Sequence, residues 1–174
     1  RPDGTTSQTG WSVASNIHSV LGDNDVSTSV NQSSTTCDAT VTLGNTSIDS
    51  NSTINSITVS FAAVAGRLGS ADLTIKIIDS GGSAFGQQTQ TVTSDAIYTN
   101  TAVTTQSNGS ALTVTYVDGL SILIDPDNAG ITLKEISISV DYTEFVPPPT
   151  YNTTINRINI TGGSIKLTLG NAKI

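Results

Sequence analysis

The stretch Ile54-Asn55-Ser56-Ile57-Thr58-Val59-Ser60-Phe61-Ala62-Ala63 alternates, with Ile57, Val59, Phe61 and Ala63 on one phase and Thr58, Ser60 and Ala62 on the other. Successive side chains of a strand point to opposite faces, so this period of two marks a strand with one face on a core. The mark recurs at Leu73, Ile75 and Ile77, at Leu112, Val114 and Tyr116, at Leu120, Ile122 and Ile124, and at Ile136, Ile138, Val140 and Tyr142. Shorter strands are expected upstream at 10–14, 26–30 and 37–43. They lie in a polar stretch, 1–52, whose apolar residues are spaced too irregularly for a helix. Asp79-Ser80-Gly81-Gly82, Ser107-Asn108-Gly109, Asp118-Gly119 and Asp125-Pro126-Asp127-Asn128 supply turn formers between the runs.

Seven or more antiparallel strands, each with one apolar face, must hide those faces against each other. The fold expected is therefore all-β, a two-sheet antiparallel sandwich, jelly-roll-like. An immunoglobulin sandwich is the near neighbour, but Trp11 lies close to the start and the chain has a single cysteine, Cys37. That thiol can close no disulfide within the chain, so core packing must stabilise the fold.

Composition agrees. Among 174 residues there are 28 Thr, 23 Ser and 13 Asn, no Met, two Glu and four Lys. Charged residues make up 12%, about half the usual share, so uncharged hydroxyl and amide groups must cover the exterior. Seven basic and 14 acidic residues leave a net charge of −7, which argues against a nucleic-acid partner. No apolar run approaches the length of a membrane-spanning helix, and no signal peptide is visible. The sequence begins at Arg1 without Met, which leaves room for a leader or arm upstream.

The chain changes character at Phe145-Val146-Pro147-Pro148-Pro149. Consecutive prolines cannot donate ladder hydrogen bonds and favour an extended segment rising about 3 Å per residue. The division expected is a sandwich over 1–145, a proline-rich strut over 146–150 and a β-hairpin arm over 151–174. In that arm Ile158 and Ile160 precede Gly162-Gly163, and Ile165, Leu167 and Leu169 follow it, alternating with Lys166 and Thr168. A lone hairpin is marginal in water, so this apolar face must pack either on its own sandwich or on a neighbouring subunit.

Residues that could carry chemistry are few. His18 is the single imidazole, no Gly-x-Ser-x-Gly elbow occurs, and Glu135 and Glu144 do not read as a glycosidase pair. No enzymatic activity and no cofactor are expected. Asp23 with Asp25, and Asp125 with Asp127, place carboxylates in loops and are weak calcium candidates, with turn capping as the plainer role. Trp11, Phe61, Tyr116 and Tyr142 fall on apolar phases and are assigned to the core. Phe85, Tyr98 and Tyr151 are left as platforms for a surface glycan. Six Asn-x-Ser/Thr triplets occur, at Asn31, Asn45, Asn51, Asn108, Asn152 and Asn159, and most are expected by chance in so hydroxyl-rich a chain.

Gly10-Trp11-Ser12-Val13, Ile17-His18-Ser19-Val20-Leu21-Gly22-Asp23-Asn24-Asp25, Ser27-Thr28-Ser29-Val30 and Ile54-Asn55-Ser56-Ile57-Thr58-Val59 follow one another. This succession resembles β-sandwich structural proteins of tailed-bacteriophage virions over residues 8 to 145. The resemblance implies a capsid decoration (cement) protein or, as a lesser expectation, a fibre module. Its partners would be the major capsid protein and copies of itself in a homotrimer on the capsid exterior. An extracellular filament or surface-layer subunit, polymerising by strand donation, and a glycan-binding module are the alternatives.

Overall fold

The computed structural model describes residues 2–149 except 13–16, 24, 26, 35–36, 67–68 and 128–129. The strands are β1 (Pro2–Thr9), β2 (Val30–Asn31), β3 (Asp38–Leu43), β4 (Thr53–Ala65), β5 (Ala71–Ile78), β6 (Ala84–Val92), β7 (Ala96–Thr99), β8 (Ser121–Pro126) and β9 (Ile131–Thr143). Two short helices, α1 (Ile17–Leu21) and α2 (Val114–Asp118), interrupt them. Among the described residues the strands form two antiparallel sheets, ordered β1-β3-β8-β5-β6 and β2-β9-β4-β7.

From β2 onward the neighbours pair first with last. β2 lies beside β9, β3 beside β8, β4 beside β7 and β5 beside β6. This is a long ribbon folded at the β5–β6 hairpin and wound on itself, the connectivity of a jelly roll. β1 is added at the free edge of β3. The all-β sandwich expected from the alternating runs is the fold observed.

The apolar phases meet between the sheets. Across the five-stranded sheet Val41, Ile122 and Ile77 form one rung and Ala39, Ile124 and Ile75 the next, all buried. Facing them are Ile57, Val59, Phe61 and Ala63 of β4, with Leu133 and Ile136 of β9. Leu133 and Ile136 both point inward although they are three positions apart. A bulge allows this: Ala62 pairs with Glu135 and Ala63 with Leu133, so Lys134 is the extra residue. Lys134 pairs instead with Asp95.

Several expected strands differ. Leu112, Val114 and Tyr116 do not form one, because Val114 and Val117 are buried at helical spacing in α2. Thr113 Oγ1 caps that helix by accepting from the Tyr116 amide, and Gly119 donates to the Tyr116 and Val117 carbonyls. Of the described residues over 26–30 only Val30 is in a strand, and within 10–14 Trp11 makes an isolated bridge to Gln32. Polar residues 2–9 form β1, and Ile17 and Leu21, one helical turn apart, bury completely in α1. Asp125 and Pro126 end β8 rather than making a turn.

The turn at Asp79 depends on its carboxylate. Oδ1 accepts from the Gly81 and Ser83 amides at 2.9 and 2.8 Å, and Oδ2 accepts from Ser107 Oγ at 2.6 Å and the Tyr116 hydroxyl at 3.4 Å. The Ser107 hydroxyl above all, and then the Ser83 amide, hold this carboxyl below its ordinary 3.8. A carboxyl depressed on folding adds stability above its unfolded value and loses it as pH falls through the folded one. Asp79→Ala is therefore expected to melt below the parent at neutral pH, with the gap closing in acid below about pH 4, the unperturbed range. Thermal melts of both proteins across that range check this, and a gap independent of pH would contradict it.

Candidate functional site

β9 runs on after the five-stranded sheet has stopped covering it. Ile136 is buried, Ile138 and Val140 are half-buried, and Tyr142, on the same phase, is 44% exposed. The phase of Tyr142 predicts a core position. Tyr142 is exposed because the six-residue strands β3 and β8 face only part of the 13-residue β9. Beyond β9, Phe145 is 40% and Val146 78% exposed, and residues 144–149 carry no regular structure. The apolar run Tyr142, Phe145, Val146 thus stands at the surface where the chain enters its three prolines.

The far edge of β9 is open as well. β2 pairs only with Thr132 and Leu133. From Lys134 to Thr143, β9 is bonded to β4 on one side and, among the described residues, to no strand on the other. A small cavity of about 50 Å3 lies beside this edge, lined by Leu43, Gly44, Thr46, Val117, Ile138 and Val140. Thr46 Oγ1, buried there, has no hydrogen-bond partner among the described residues. The expected arm residues Ile158, Ile160, Ile165, Leu167 and Leu169 lie outside the described residues.

A second feature occupies the outer face of the four-stranded sheet. Ser60, Phe61, Ala62, Ile97, Glu135 and Ser137 line an open groove of about 230 Å3, and Ile97 is 73% exposed. Its walls are hydroxyls, one carboxylate and the aliphatic side chains of Ala62 and Ile97; Phe61 also lines it but is only 1% exposed and offers no platform. The expected platforms are engaged elsewhere: Tyr98 stacks on Phe61 at 5.5 Å and Phe85 tilts against Tyr116 at 5.7 Å. The Tyr98 hydroxyl accepts from the Thr93 and Ser94 amides and donates to the Ser94 carbonyl. Tyr151 lies outside the described residues.

The calcium candidates have local partners. Asp23 Oδ1 accepts from the Asp25 amide and Oδ2 from Thr28 Oγ1, while Asp25 Oδ1 accepts from the Ser27 amide. Bonds from Ser27, side chain first, hold the Asp25 carboxyl below its ordinary value. Asp125 Oδ2 is 3.0 Å from Lys76 Nζ, and the Asp127 amide donates to the Asp72 carbonyl. Among the described residues no three His, Cys, Asp or Glu side chains gather as metal ligands.

His18 Nδ1 lies 2.9 Å from Thr5 Oγ1, which pins α1 to β1. Cys37 is buried, and burial foremost, with the charges of Asp38 and Asp125, pushes its thiol up to about 12. It therefore stays protonated and a poor nucleophile at neutral pH. No helix of the described residues is long and apolar enough to cross a membrane.

The fold defines a class, the antiparallel two-sheet sandwich of jelly-roll connectivity. Comparison of the chain with protein-family models, curated proteins and solved structures finds no match in any of the three.

Proposed function

We propose that this chain is a non-enzymatic structural subunit of a virus particle, a decoration (cement) protein that clamps neighbouring capsid subunits on the outside of a phage head. The observation that carries the reading is the exposed apolar run Tyr142, Phe145, Val146 leading into Pro147-Pro148-Pro149. Large apolar side chains grouped at a surface mark a place of association. Here they stand at the root of a segment whose own sequence carries five more aliphatic side chains in alternation. A surface of Ser and Thr, poor in long Lys and Glu side chains, loses little side-chain entropy when it is ordered in contacts. The partners proposed are the major capsid protein and two further copies of this chain. The open β9 edge suits equally an extracellular filament subunit that polymerises by strand donation, which is the second reading.

Removing residues 147–174 is expected to abolish self-association and binding to expanded empty heads, while the far-UV circular dichroism of the sandwich is unchanged. Sedimentation and head co-pelleting measure this. A truncated protein that still assembles normally would overturn the reading. Closed trimers from the full chain support decoration, and open fibres on concentration select the filament.

A further inference from the structure

Strand β9 presents, among the described residues, a run of backbone from Lys134 to Thr143 that pairs with no strand along its far edge. Exposed strand edges template the addition of another strand, and folded proteins usually block them with charge, proline, a bulge or a covering loop. The bulge at Lys134 protects only the beginning of this edge. Further along, the inward phase is aliphatic and half-covered at Ile138 and Val140, and the outward phase is Ser137, Ser139 and Asp141. We propose that this edge is a docking site for residues 165–169 of a second copy of the chain, which add to β9 as an antiparallel strand. This deepens the assembly reading above and rests on it.

Three observations select that occupant. The first is pattern. Ile165, Leu167 and Leu169 on one phase match the three inward positions Tyr142, Val140 and Ile138, one opposite each, and this is the longer of the two alternating runs after the prolines. The second is charge. In antiparallel register Lys166 falls opposite Asp141 and Thr168 opposite Ser139, whereas a parallel strand would set Lys166 against Ser139 and leave Asp141 facing Thr168. Opposite charges directly across a pair of strands stabilise it, so the register fixes the direction. The third is the path of the chain. The Phe145 amide donates to Ser52 Oγ at 3.2 Å, and Ser52 immediately precedes β4, which lies on the other side of β9 from the open edge. The chain thus leaves toward β4 and then enters three prolines that extend rather than reverse it. From that exit, the neighbour's 165–169 segment is the one proposed to supply the strand. Each copy gives one strand and takes another, so the contact closes as a reciprocal dimer or a ring, or continues as a filament.

The test mixes a tagged Asp141→Cys chain with an untagged Lys166→Cys chain under mild oxidation. Cys37, buried, is not expected to compete. A disulfide between the two sizes of chain is the expected result, and charge reversal at either position alone, D141K or K166D, should weaken self-association at least tenfold, with recovery in the double variant. If the two cysteines placed in one chain link only within that chain, the segment docks on its own β9 and the proposal is overturned. A link from Lys166→Cys to Ser139→Cys instead of Asp141→Cys overturns the antiparallel register. If neither cysteine pair links while removal of 147–174 still abolishes assembly, this edge is not the site, although the assembly reading stands. Assembly that survives the truncation overturns that reading itself.

Discussion

Phe61→Ala is expected to lower the free energy of unfolding by about 3–5 kcal/mol, the usual cost of deleting a buried aromatic ring from a core. Phe61 sits midway along β4, only 1% exposed, opposite Ile136 of β9 and Tyr98 of β7. Its ring stacks on that of Tyr98 with the planes 16° apart, so the variant also loses a ring contact of about 1 kcal/mol. The neighbouring phase supplies the control. Ile97, paired with Ala62, points to solvent, and Ile97→Ala should change stability by no more than about 0.5 kcal/mol. Urea titrations followed by circular dichroism measure both. Because a slip of one residue would exchange the two faces of β4, equal effects from the two substitutions would show that the register is wrong.

That contrast between phases explains which strands can be read from sequence. β4, β5, β8 and β9 each bury one face against the opposite sheet, so Ile57-Val59-Phe61, Leu73-Ile75-Ile77, Ile122-Ile124 and Ile136-Ile138-Val140 carry the period openly. β1 and β6 lie at the two edges of the five-stranded sheet. Among the described side chains, their sequences, PDGTTSQT and AFGQQTQTV, bury little beyond Pro2 and Val92. An edge strand held by backbone bonds leaves no hydrophobic period to detect. In α2, Leu112, Val114 and Tyr116 fit a period of two, and Val114 with Val117 fits a helix as well. Thr113 before the turn and Gly119 after it were the signals that favoured the helix.

The candidate site was legible in part. Three prolines flanked by Phe145 and Val146 announced a change of role, and the same residues prove exposed. The open edge of β9 and the exposure of Tyr142 were not legible, because the first depends on β2 being only two residues long and the second on β3 and β8 stopping short of Tyr142. Those are facts of chain length and register between segments far apart in sequence. The aromatic platforms failed for a related reason. Phase and spacing cannot show that Tyr98 lies beside Phe61, since the pairing of β4 with β7 joins residues 39 or fewer positions apart across the β5–β6 hairpin.

Trp11→Ala should cost a further about 3–5 kcal/mol, by the same loss of a buried ring, yet the consequence differs because this ring is a junction. Trp11 is buried, its Nε1 donates to the Asp38 carbonyl at the start of β3, and it bridges to Gln32 just after β2. Ser12 donates to the Asn31 carbonyl and Ser33 to that of Gly10, so residues 10–12 are laced to the β2 end on both sides of the ring. β1 precedes this junction and α1 follows it. Losing the ring should therefore free β1 and α1 before the two sheets separate, because β1 has almost no buried side chain of its own to hold it. Amide hydrogen exchange should show protection falling first across β1 and α1, with β4, β5 and β8 unchanged until global unfolding. Trp11→Phe keeps most of the packing and loses chiefly the indole bond, about 1 kcal/mol. Uniform loss of protection in Trp11→Ala, with β1 no more exposed than β8, would mean that the ring only fills space and does not anchor the N-terminal strand.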